Sequence, residues 1–137
     1  MNSRRRKFAL STFAVLTLCL ILPPLAVGAQ ERTVAVLQGL DKVTARVSEF
    51  NAELGVPVTF GTLEITAQAC HKKPPEEPPE STAFLEIREK QRGQQAKLLF
   101  SGWMFASTPG LSALEHPVYD VWVLDCAVST VNSESNG

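Results

Sequence analysis

The sequence predicts an all-β fold: a small antiparallel sandwich or barrel of about seven strands with one short helix. Three observations predict it. Beyond residue 30 the chain alternates short apolar runs with turn signals. Several of those runs alternate polar and apolar side chains with a period of two, as in a strand that is wet on one face. Two later runs are apolar on both faces, as expected of strands covered on both sides.

Taken in order, residues 33–37 are rich in β-branched side chains. Val43, Ala45 and Val47 alternate with Thr44, Arg46 and Ser48, and residues 51–55 form a turn. Residues 56–60 make a short strand that Pro57 assigns to an edge or a strand start. Leu63, Ile65 and Ala67 share one face of the next strand, and residues 83–87 resume the sheet after a proline-rich excursion. A loop over 91–95 follows, with Gly93 inside it. The two runs expected to be central are 97–106 and 118–124, with Gly102 marking a bulge or a close backbone approach. Between them, Thr108 as N-cap and Pro109 at the first helical position predict a short helix near 109–115, stopped by Pro117.

The N-terminus has a separate logic. Arg4, Arg5, Arg6 and Lys7 precede an apolar run over 8–22, then Pro23, Pro24 and the small-residue site Ala26-Val27-Gly28-Ala29. That is the three-part pattern of a cleavable secretory signal over residues 1–29, and the run is too short to span a bilayer. The alternative is an uncleaved anchor. Cys19 follows Leu18, which does not fit a lipid-attachment site, and the arginine pair lacks the rest of a twin-arginine signal. The expected route is the general secretory one, and the expected contact with membrane is through this segment before cleavage.

Cleavage after Ala29 leaves 108 of the 137 residues: one β domain over 30–128 and a polar, disordered tail over 129–137. All four cations of the leader are lost with it. Nine of the 13 Lys and Arg then face 14 Asp and Glu, a net charge of −5 where the whole chain has −1. An acidic domain without a basic stripe argues against nucleic acid as a partner. Cys70 and Cys126 remain, and an even pair in an oxidising compartment predicts a disulfide. The alternative is a metal site of Cys70, His71, His116 and Cys126, which lacks the paired spacing of structural zinc.

The stretch LLFSGWMFASTPGLSALEHPVYDVWVLDC (98–126), with LQGLDKVTARVSEF and FGTLEITAQACHKKPPEEPPESTAFLEI upstream, resembles an exported bacterial family known as domain of unknown function 2155. The resemblance covers nearly all of the chain beyond the leader and implies a single domain in the periplasm of a Gram-negative cell. It implies no catalytic residue, ligand or cofactor.

The residues themselves carry modest chemistry. No nucleophile elbow, zinc-protease helix motif or phosphate-binding glycine loop is present in the sequence. His116, flanked by Glu115 and four residues before Asp120, is the candidate for an envelope hydrolase; the plainer reading is a loop histidine that caps backbone groups. Asp120 interrupts an apolar strand and calls for a cation, a cap or a site. Trp103, Phe105, Tyr119 and Trp122 read as core, with a sugar- or peptide-binding platform as the alternative. The excursion Pro74, Pro75, Glu76, Glu77, Pro78, Pro79 and Glu80 is stiff, acidic and exposed, and is the first choice for contact with a partner. The expected function is a non-enzymatic periplasmic binding or scaffold module acting through an envelope protein. The alternative is the hydrolase, using His116 with Asp120 or Glu115. No cofactor, metal or particular small molecule is indicated.

Overall fold

The structure is a computed structural model that describes residues 30–131; the expected leader over 1–29 lies outside the described residues. Among the described residues seven strands occur: β1 (Gln30–Asp41), β2 (Arg46–Glu53), β3 (Val58–Phe60), β4 (Leu63–Lys72), β5 (Ser81–Glu89), β6 (Lys97–Phe105) and β7 (Tyr119–Val131). They form two antiparallel sheets, one ordered β2-β1-β7 and the other β3-β4-β5-β6. The sheets pack face to face as a sandwich and do not close into a barrel.

The period-two pattern decides what lies between them. Leu63, Ile65 and Ala67 of β4 and Ala83, Leu85 and Ile87 of β5 are fully buried, as are Ala35 and Leu37 of β1, with Val123 of β7 at 1% exposure. A β-bulge interrupts each of three ladders. In β7 it turns the chain at Leu124, in β4 at Gln68, and in β6 at Leu99. Each extra residue shifts the phase, so inward and outward positions exchange there.

One end of the sandwich is closed by stacked rings. Phe50 stacks on Phe60 at 5.4 Å between centroids, Phe60 meets the edge of Tyr119 at 5.5 Å, and Tyr119 stacks on His116 at 5.3 Å. The tip of the Phe60 ring lies against Gly39, where a Cβ would stand 2.6 Å from ring carbons. Gly61 has φ +58° and sits against the Tyr119 ring, so both its backbone and its contact require glycine.

Several expectations need correction. Neither β6 nor β7 is central: each is the last strand of its sheet. Their two-faced apolar character has another cause. The β6 bulge packs both Leu99 and Phe100 against the core, while Trp103 stays outside at 40% exposure. The ladder is regular at Gly102, so the bulge is at Leu99 instead. The expected helix shrinks to a single 3₁₀ turn, Pro109–Leu111, and Thr108 makes no side-chain cap there. Residues 42–45 are a turn, not a strand, because the Asp41 carboxylate accepts from the amides of Val43 and Thr44. The strand that follows, β2, continues through residues 51–53, where a turn was expected. Ser129 and Thr130 are not tail: they pair with Arg32 and Glu31 and extend β7.

Candidate functional site

A disulfide joins Cys70 of β4 to Cys126 of β7, with Cα atoms 5.7 Å apart, and so fastens one sheet to the other. Its neighbours are thereby brought together. Lys72 lies two residues beyond Cys70 and Asp125 one residue before Cys126, and their side chains pair at 2.7 Å. The second Asp125 oxygen accepts from the Ser81 hydroxyl and from the Cys126 amide, both at 2.8 Å. Ser81 is 5% exposed and is the one buried polar residue among those described. The Lys72 ammonium, aided by these hydrogen bonds and against the effect of burial, holds the Asp125 carboxyl below its ordinary value.

From this base springs the proline loop. Residues 73–80 leave β4 and return to β5, and the exit is clamped by the Lys73 amide donating to the Glu80 carbonyl at 2.9 Å. The Glu77 amide donates to the Pro74 carbonyl at 3.1 Å, and Lys73 pairs with Glu77 at 3.3 Å. Glu80 secures the return. Its carboxylate accepts from the amides of Ser81 and Ser107 at 3.0 and 3.1 Å, and from the Ser107 hydroxyl. The Ser107 hydroxyl first, then its amide, hold the Glu80 carboxyl below the usual range. Glu80 is thus an anchor and not part of the exposed acidic face.

The loop overhangs a cleft of about 780 Å³. Lys73, Pro74, Pro75, Glu77, Pro79 and Glu80 of the loop line it, together with Lys72, Ser81 and Asp125 around the disulfide and with Ala106, Ser107 and Leu124. The β7 bulge residue Leu124 borders this cleft. The cleft thus combines apolar walls with a small set of fixed polar groups, as ligand clefts do.

The other residues singled out from sequence lie elsewhere. His116 is at the ring-stacked end, with a side chain 7% exposed. Its Nδ1 accepts from the amides of Val118 and Tyr119 at 3.1 and 3.0 Å, so the ring hydrogen belongs on Nε2, which faces Glu89 Oε1 at 3.2 Å. The histidine hydrogen bond is the leading cause holding Glu89 below its ordinary value. Asp120 instead pairs with Lys42 at 3.1 Å, and Lys42 also donates to the His116 carbonyl. Glu115 is exposed. The carboxylate beside the imidazole is therefore Glu89 of β5, which no feature of the residues around His116 points to. His71 turns away from the disulfide and stacks on Trp103 at 5.7 Å, so Cys70, Cys126, His71 and His116 do not converge. Phe84 meets the edge of Trp103 at 5.5 Å. Trp122 donates to Gln38 at 3.0 Å, and Tyr119 packs on the core.

A family described as an uncharacterized protein conserved in bacteria, domain of unknown function 2155, matches residues 35–126. The chain belongs to this family. The match runs from the buried Ala35 to Cys126, and so takes in the sandwich, the disulfide and the proline loop of this DUF2155 protein. An uncharacterized protein of Rickettsia prowazekii (strain Madrid E) is 32% identical over 87 residues, 64% of this chain and 56% of that protein. The chain thus spans about half the length of that curated relative. No solved structure matches.

Proposed function

We propose that this DUF2155 protein is exported to the periplasm and serves the cell envelope as a non-enzymatic binding or scaffold module, gripping a protein partner at the proline loop and its cleft. The observation that carries the reading is the clamped loop: residues 74–79 are exposed, yet both ends are fixed by hydrogen bonds that Lys73 and Ser107 donate to Glu80. A surface ordered before it binds loses little further conformational entropy on association. The sequence pattern over 1–29 supports export, and a disulfide suits an oxidising compartment. Both ring nitrogens of His116 are engaged, Nδ1 by the Val118 and Tyr119 amides and Nε2 by Glu89, which supports a structural role for it.

The test is capture from the periplasm with three forms: the unaltered protein, one with residues 74–79 replaced by a short glycine-serine link, and His116→Ala. The expected result is a defined partner set recovered by the first and third and lost by the second, with all three folded by circular dichroism. Equal recovery by the loop variant would reject the loop as contact surface. Loss of cellular function in the folded His116→Ala protein, with capture intact, would favour the hydrolase.

A further inference from the structure

The four outer strands of the two sheets differ in how they are guarded. An open strand edge offers unpaired main-chain groups to any other strand, and folds blunt it with charge, proline, bulges or shortness. β2 carries Arg46, Glu49 and Glu53. β3 has three residues and follows Pro57. β7 is bulged at Leu124, carries Asp120 and Asp125, and is overhung at that point by the proline loop. β6, KLLFSGWMF, has one charge, Lys97, and one bulge, both at its start. From Phe100 to Phe105 it holds no charge, no proline and no bulge.

The ladder says which groups are open. The Ala106 amide donates to the Ser81 carbonyl at 2.9 Å, which makes Ser81 and Ala106 a hydrogen-bonded pair. Antiparallel pairs alternate between bonded and non-bonded, and the register is regular back to Phe100. Met104, Gly102 and Phe100 therefore direct their main-chain groups to β5, while Phe105, Trp103 and Ser101 direct theirs outward. Among the described residues no main-chain hydrogen bond joins that edge to the crossover that follows it.

We infer that β6 is a self-association edge, where a second copy of this chain pairs antiparallel to form one eight-stranded sheet. One register satisfies all three open residues together: Trp103 opposite Trp103 on the two-fold axis, with Ser101 opposite Phe105 on either side. No like charges meet in it, since this stretch has none. The Trp103 indole, exposed beside His71 and Phe84, gains an aromatic partner across the axis. Because the sheet's other edge, β3, is short and blocked, the assembly closes at two copies and does not grow into a fibre. The inference rests on the main-chain groups of residues 101–105 and not on the proline loop, whose cleft begins at Ala106, next along the chain.

Sedimentation equilibrium of the purified protein, with hydrogen exchange read at single amides, tests it. The expected result is a dimer that dissociates on dilution. The amides of Ser101, Trp103 and Phe105 are protected when concentrated and exchange freely when dilute. Ser101→Pro removes an outward donor and leaves the β5 ladder intact; Trp103→Lys sets two ammonium groups face to face. Each weakens self-association by roughly tenfold or more. A protein that stays monomeric when concentrated overturns the inference, as does a dimer in which those three amides remain unprotected, or one that both folded variants retain.

Discussion

Replacing Cys70 and Cys126 together by serine removes the disulfide between the sheets, and its cost can be worked from the loop it closes. The two cysteines are 56 positions apart, and the closed loop contains β5, β6 and most of β7. In the chain-entropy model the lost constraint on the unfolded chain comes to about 4 kcal/mol for a loop of that length. A domain of this size has a net stability on the order of 5–15 kcal/mol, so the loss is a large part of the whole. At roughly 4–8 °C per kcal/mol for domains near 100 residues, the melting temperature should fall by about 15–30 °C. Both cysteine side chains are nearly buried, and the serine hydroxyls must find partners, so the estimate errs low. Urea unfolding of the oxidised protein and the double variant, with equal slopes, gives the difference directly. A loss below about 1 kcal/mol would refute the reasoning, since the unfolded state would then gain no freedom from release of the loop. Thiol labelling of the unfolded, unreduced protein beginning at Gln30 supplies the companion check: no labelled cysteine is expected.

Two other perturbations follow from particular contacts. Gly39→Ala sets a methyl 2.6 Å from the Phe60 ring and should cost about 1–3 kcal/mol by thermal unfolding, with Phe60→Leu on the same chain recovering much of the loss; additive losses would contradict the contact. The Glu80 carboxyl lies below its ordinary value of 4.5, so its contribution is fully present above about pH 4.5 and is lost as pH falls through the lowered folded value. The Ser107 amide resonance should therefore move with a midpoint below 4.5, and Glu80→Gln should abolish that titration; an unchanged profile in the variant would assign the movement to another group.

The sequence by itself determined the class of fold, the seven strands, the cysteine pair and the exposed proline loop. Each is a local matter: period-two alternation sets which side chains can share a core, four prolines bar a strand or helix, and the two cysteines beyond residue 30 have one another as partner. The cysteine pair also brings Lys72 and Asp125 within reach of one another. Only the tertiary structure decided the rest. Whether β6 is central or outer depends on which strands flank it, and no property of KLLFSGWMF encodes that. The apolar surplus that suggested a central strand comes from a bulge at Leu99 and an uncovered Trp103. The partner of His116 is Glu89, 27 residues away and on a different strand, because the crossover from β6 to β7 lays the imidazole beside the end of β5. Asp120, close in sequence, is instead taken by Lys42 from the neighbouring hairpin turn. Sequence distance governs which residues are linked, but the sheet register governs which of them touch.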